Sequence, residues 1–136
     1  MKGYYTDLEK ATRDNTCFRH VVYTGAYSQL VLMHLEPREA IGLETHGNDQ
    51  FFRIEQGHGT AIVDGHEYKL HDGSSVIVPA GAKHNIINTS TSKPMKLYTI
   101  YSPPHHKDGV KFKTKAAAGA SDEEYDGMTT EQVGKG

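Results

Sequence analysis

From Phe18 to Tyr101 the chain runs in short stretches of β-branched and aromatic residues, cut by turn residues every 8–12 positions or so. That spacing constrains the fold more than any other feature. Phe18–Thr24 stops at Gly25, and Ser28–Leu35 is closed by Pro37. Gly42–His46 reads as a short strand or rim, Gly47-Asn-Asp49 as a turn, and Gln50–Glu55 as a strand ending at Gly57 and Gly59. Thr60–Val63 and His66–Leu70 flank Asp64-Gly65, a pair that accepts the positive φ angles of a two-residue hairpin turn. Ser75–Val78 is expected as a buried strand stopped by Pro79-Ala-Gly81. His84–Asn88 and Met95–Tyr101 complete the series before Pro103-Pro104. About eight strands without intervening long helices predict an antiparallel sandwich or barrel and exclude a parallel α/β sheet. No fixed-period repeat suggests a solenoid.

At 136 residues the chain fits one domain with tails: an N-terminal segment 1–17, a barrel 18–104 and a C-terminal tail 105–136. Thr6-Asp-Leu-Glu9 matches a capping box, which predicts a short helix through Ala11 ended by Asn15. The tail turns basic over Lys107–Lys115 and bland over Ala116–Ala120. Ser121-Asp-Glu-Glu124 could cap a helical turn, and the whole tail is expected to wrap the surface. A net charge of -2 with both signs interspersed gives no basic stripe for nucleic acid. No apolar run reaches signal-peptide or membrane-span length, and the lone Cys17 allows no internal disulfide. A soluble, cytoplasmic protein is expected, with neither nucleic acid nor membrane as partner. Gln29–Leu35 is apolar on both faces, which predicts cover from a second subunit and hence a homodimer.

Two clusters of polar residues stand out between Ile41 and Asn88. Glu44 and His46 lie two apart and share a strand face. Gln50 opens the next strand after a tight turn. If it points inward, so do Phe52 and Ile54, and a polar group then heads an apolar face. In the second cluster Pro79 stops a strand, Gly81 permits positive φ, and the chain can turn to aim His84 inward. Ile86 and Asn88 follow on that face, where the Asn88 amide can hold the turn.

Gly73-x5-Pro79-x-Gly81-x2-His84-x3-Asn88 resembles the second motif of the cupin superfamily at every position, and Gln50-x6-Gly57 resembles the end of the first. His46 stands at the place of that motif's second histidine. Glu44 stands where the first histidine usually is, Gln50 where a glutamate usually is, and Arg38 where the leading glycine usually is. The resemblance spans roughly residues 28–104. It implies an all-β cupin double-stranded β-helix, a jelly-roll barrel, often dimeric, with one divalent metal held by Glu44, His46, Gln50 and His84. The chain as a whole resembles small single-domain cupins called mannose-6-phosphate isomerase-like. Glutamine, glutamate and two histidines are also the ligand set of zinc-dependent phosphomannose isomerases.

Two imidazoles, a carboxylate and an amide oxygen suit manganese, iron, nickel or zinc. One carboxylate leaves a dication near +1, which favours an anionic, sugar-like or enediolate-forming small molecule. The expected function is therefore a metal-dependent isomerase or epimerase of a small carbohydrate or hydroxycarbonyl compound, with Tyr101 and His34 as candidates for the base. Two alternatives stand beside it. One is a dioxygenase built on a triad of Glu44, His46 and His84. The other is a non-enzymatic module binding a small ligand or metal. The remaining histidines are read as structural or solvent-facing. His66 and His71 lie by turns, His58 lies between glycines, and His105-His106 open the tail, from which a histidine could also cover the barrel mouth.

Overall fold

The computed structural model describes residues 1–131. Helix α1 (Leu8–Asp14) is followed by β1 (Arg19–Thr24), β2 (Gln29–Leu35), β3 (Asp49–Gln56), β4 (Gly59–Val63) and β5 (His66–Leu70). Then come β6 (Ser75–Val78), β7 (His84–Asn88), β8 (Met95–Ser102), β9 (Lys111–Phe112) and α2 (Lys115–Gly119). All pairings are antiparallel. One sheet has the order β6-β3-β8-β2-β1-β9 and the other β5-β4-β7. The segment through Ala40 and Glu44 extends the smaller sheet by single bridges to Ile87 and His84. The two inner faces meet on Val31, Met33, Phe52, Ile54, Ile86 and Leu97, all essentially solvent-free. This is the antiparallel sandwich that the strand spacing predicts.

Local chemistry explains the turns. Asp64 and Gly65 both have positive φ, +46° and +81°, and join β4 to β5 in a two-residue hairpin. Gly81 takes φ +88°, as the chain's change of direction after Pro79 requires. Asn88 is fully buried and donates from Nδ2 to the carbonyls of Leu35, Glu36 and Lys93, tying three segments at one end of the barrel. Arg38 has φ +66°, so the chain still makes a left-handed turn where glycine would be the easier residue.

The structure corrects four expectations. Helix α1 is capped by Asp7, whose side chain accepts the Lys10 N–H at 3.3 Å, and not by Thr6. Aspartate is the stronger cap, and the helix runs to Asp14 with Asn15 as its C-cap, as expected. Strand β6 is not buried: it is the free edge of the larger sheet, Ile77 is 72% exposed, and Val78 alone packs fully inward. Composition signals a strand but not whether a neighbour covers it. In the tail the helical turn forms at Lys115–Gly119, where Thr114 accepts the Ala117 N–H and alanines follow. Ser121–Glu124 is not helical. Finally, the outer face of β2 is covered by its own chain. Helix α1 packs on β2, β3 and β8, and Leu32 and His34 are buried. Lys96 reaches across to donate to the Asn15 carbonyl and to His34 Nδ1, each at 2.7 Å. The two-sided apolar pattern of β2 is thus satisfied within one chain and does not of itself require a second subunit.

Sheet closure depends on a close backbone approach. A Cβ at Gly59 would lie 2.0 Å from the Ile87 carbonyl oxygen and 2.6 Å from Met95 Cε. Backbone cannot yield as a side-chain tip can, so Gly59→Ala is expected to destabilise by about 1–3 kcal/mol. Gly47→Ala, with nothing within 4 Å, should stay within about 0.5 kcal/mol. Urea denaturation of both variants checks the pair.

Candidate metal centre

A single antiparallel bridge starts the site. The Glu44 N–H donates to the His84 carbonyl and the His84 N–H to the Glu44 carbonyl, each at 2.9 Å. Residues paired this way project side chains to the same face, so Glu44 and His84 are brought side by side. His46 lies two residues beyond Glu44, and its carbonyl accepts the Gly81 N–H at 2.9 Å, locking the two polar clusters together. One ligand atom from each of Glu44, His46 and His84 lies within 4.8 Å of the others. The rings of His46 and His84 meet edge to face at 4.9 Å.

Gln50 reaches the same place from the opposite sheet. It is buried, and its Nε2 donates to Thr99 Oγ1 at 2.9 Å. Its carbonyl oxygen therefore turns to His46 Nε2, 2.9 Å away. His84 donates from Nδ1 to the Ala82 carbonyl at 3.0 Å, which leaves Nε2 a bare lone pair. His84 Nε2 and His46 Nδ1 are both buried without a partner. An orphan of this kind costs on the order of 1–3 kcal/mol, and for the His84 Nε2 lone pair a cation is the missing partner. The partnerless His84 Nε2, with His46 Nε2 4.0 Å from Glu44 Oε2 and 2.9 Å from the Gln50 amide oxygen, is a donor set that fits a divalent ion. All four residues singled out in the sequence thus lie in one group, with Gln50 joined to it through His46.

Of the two candidate bases, Tyr101 lies at this site and His34 does not. Tyr101 pairs with Gln50 across β3 and β8, and its ring is 5.7 Å from His46. Burial, with the Glu44 charge second, pushes its phenol well above the usual value, so it is protonated. His34 sits on the opposite face of β2 from Val31, Met33 and Leu35, bonded to Lys96 and to Glu36 Oε1 at 2.9 Å. Strand alternation, applied to β2, places it on the outer face.

The tail supplies the mouth of the barrel, against the reading of His105-His106 as bland. His105 stacks on Tyr101 at 5.1 Å and lies 4.8 Å from the His46 ring. Buried Gln29 holds this segment: its Oε1 accepts the N–H groups of His105 and His106, at 3.1 and 2.9 Å, and its Nε2 donates to the His106 carbonyl. Asn48 donates to the Pro103 carbonyl at 2.7 Å. Gln29 heads an apolar strand as Gln50 does, and that shared oddity was the available signal. Burial, the neighbouring His106 and His46, and Arg19 lower the His105 pKa to about 4. Burial also lowers His106, although its bond to Glu123 opposes the shift. Burial would raise Glu123, but the bonds from His106 and the Lys107 N–H outweigh it and hold the carboxyl below its usual range.

A cupin-domain family model matches residues 31–101, which contain all four of these residues. The chain belongs to the cupin family. The uncharacterized protein YrkC of Bacillus subtilis (strain 168) is 42% identical over 129 residues, 90% of this chain and 69% of that one. The uncharacterized protein L612 of Acanthamoeba polyphaga mimivirus is 41% identical over 122 residues, 87% of this chain and 76% of its own. The crystal structure of BH2720 from Bacillus halodurans superposes with a TM-score of 0.85 at 36% identity, covering 88% of this cupin and 96% of that chain.

Replacing either histidine should remove most of the metal that the purified protein binds, while the apolar faces keep the barrel folded. Gln50→Ala should weaken binding by about 10-fold, since water can replace a neutral amide, and Gln50→Glu should tighten it. Elemental analysis of each variant, with circular dichroism for folding, checks the order. A full equivalent of metal on His84→Ala would remove the site.

The mouth should loosen in acid. His105 and His106 are depressed in the folded state, so the unfolded tail takes up protons first, below about pH 6.5. Their stabilisation is full at neutral pH and is lost as pH falls toward the folded value near 4 of His105. Glu123 acts in the same direction at lower pH. Hydrogen exchange of residues 105–107 should be slower at pH 7 than at pH 5 after correction for intrinsic rates; equal protection would contradict the assignment.

Proposed function

We propose that this cupin is a metal-dependent enzyme acting on a small carbohydrate or hydroxycarbonyl compound, of the isomerase or epimerase type. The observation that carries the reading is the buried, partnerless His84 Nε2, set beside His46, Glu44 and the Gln50 carbonyl, with the Tyr101 ring 5.7 Å from that of His46. Glu44, His46, His84 and Gln50 would hold one divalent ion, with manganese, iron, nickel and zinc all compatible with those donors. When bound, the ion supplies Lewis acidity that polarises a substrate carbonyl. Glu44 provides the single negative charge of the donor set, which leaves room for an anionic or enediolate-like ligand. Thr99 fixes the Gln50 amide so that its carbonyl oxygen faces His46 and the donor group. His105, stacked on Tyr101 and 4.8 Å from the His46 ring, narrows the approach to the donors. A cytoplasmic setting is part of the proposal; among the described residues no helix is long and apolar enough to cross a membrane. A homodimer remains part of the proposal, by analogy with other cupins.

A second reading rests on Gln50. With its neutral amide oxygen left outside the donor set, Glu44, His46 and His84 form a two-histidine, one-carboxylate triad of the kind that serves oxygen chemistry at iron. Protein reconstituted with manganese, zinc or iron(II) separates the two. Conversion of triose or hexose aldoses to ketoses or epimers without oxygen uptake is the expected result. Oxygen consumption that requires iron(II) and substrate would establish the second reading. Binding without turnover across the panel would leave a ligand-binding module.

A further inference from the structure

Tyr101 projects from β8 into the barrel, and the tail brings two ionisable partners to it. Its hydroxyl lies 3.1 Å from His106 Nε2. His106 Nδ1 lies 2.8 Å from Glu123 Oε1, and Glu123 Oε2 accepts the Lys107 N–H at 2.8 Å. Arg19, on β1 and largely buried, places its guanidinium 3.9 Å from Glu123 Oε1. These contacts fix the direction of every proton. A carboxylate that accepts from Lys107 and faces Arg19 has none to donate, so His106 donates from Nδ1. The neutral imidazole then carries its lone pair on Nε2, and the Tyr101 O–H points to it. The tyrosine proton is turned toward the tail, and the free lone pair of its oxygen is turned away from His106. The Tyr101 ring lies 5.7 Å from that of His46 and the residue pairs with Gln50 across the sheet, which puts the phenol beside the metal centre.

We propose that Glu123 and His106 are positioning residues that make Tyr101 the proton-transferring catalytic residue of this cupin. The inference rests on the isomerase reading and assigns its base. The arrangement follows the logic of a nucleophile, histidine and carboxylate triad, with a phenol in the first place. In the forward step the Tyr101 oxygen takes the proton from the hydroxyl-bearing carbon of the substrate while its own proton passes to His106 Nε2. The C–H electron pair becomes the new C–C π bond, and the carbonyl π pair moves onto oxygen. The imidazolium so formed faces the Glu123 carboxylate. In the second step His106 returns its proton to Tyr101, and Tyr101 delivers one to the former carbonyl carbon. The substrate's hydroxyl proton crosses to the former carbonyl oxygen, so the relay ends as it began and no oxidant or reductant is needed.

The test uses the full-length, metal-reconstituted protein. Deuterium uptake from D2O into dihydroxyacetone, glyceraldehyde, fructose and their phosphates is followed by mass spectrometry. The His106 tautomer is read from 15N shifts, assigned by comparison with His106→Gln. Wild type should exchange and should show Nδ1–H with an unprotonated Nε2. Tyr101→Phe and Glu123→Gln should each slow exchange by about 100-fold or more, in kcat with KM little changed and metal content intact. Glu123→Gln should also reverse the His106 tautomer, and Glu123→Asp should restore part of both signals. Exchange by wild type that survives Tyr101→Phe, or a wild-type His106 carrying its proton on Nε2, overturns the relay and leaves the isomerase reading standing. No exchange by wild type, with the Nδ1–H tautomer in place, sinks the isomerase reading and the catalytic use of the relay with it.

Discussion

A barrel interior that holds imidazoles, amides and a phenol has to satisfy each of them, because an unpartnered polar group in that environment costs as much as several apolar contacts yield. The larger sheet meets this demand in one row across its inner face. Val78, Gln50, Tyr101 and Gln29 are cross-strand partners on β6, β3, β8 and β2. Gln50 bonds Thr99 and His46, Tyr101 bonds His106, and Gln29 bonds Thr24 and the backbone of His105 and His106. The row divides the interior. Phe52, Ile54, Val31, Met33 and Leu97 form a dry core on one side, and the candidate metal donors and tail histidines stand on the other. Fold and site share the same strands, so register errors in β3 or β8 would expose the core and scatter the donors together.

The sequence was most readable where one residue dictates backbone conformation or strand parity. Asp64-Gly65 specified a hairpin through positive φ, and Pro79 with Gly81 specified the turn before His84. Parity along β3 placed Gln50, Phe52 and Ile54 on one inner face, and the buried strand pattern agrees. Parity also put Glu44 and His46 together. What it could not supply was the backbone bridge from Glu44 to His84, a contact between residues forty positions apart.

The misread elements share a cause: their environment comes from segments distant in sequence. Ser75–Val78 has the composition of a central strand but lies at an edge, because no later segment pairs with it. The outer face of β2 called for cover, and α1 provides it from the chain's own N-terminus. His105 and His106 carry no local pattern that marks a site. Their role depends on Gln29, more than seventy residues earlier, and on Glu123 beyond a second short helix.

Charge accounts for why the tail belongs to this interior. Glu44 and Glu123 are negative and Arg19 is positive, while burial keeps His105 and His106 neutral. Without an ion this group carries one net negative charge; with a dication it carries one positive charge. Both states are tolerable in a partly enclosed space, whereas a second uncompensated carboxylate or a protonated histidine would be costly. Arg19 offsets Glu123, so the carboxylate nearest the metal donors remains Glu44, and the Glu123 charge is directed through His106 to Tyr101. With Arg19 offsetting Glu123, the tail thus adds hydrogen-bonding direction to the barrel without adding net charge, which is the property that the proposed proton relay beside the candidate donors requires.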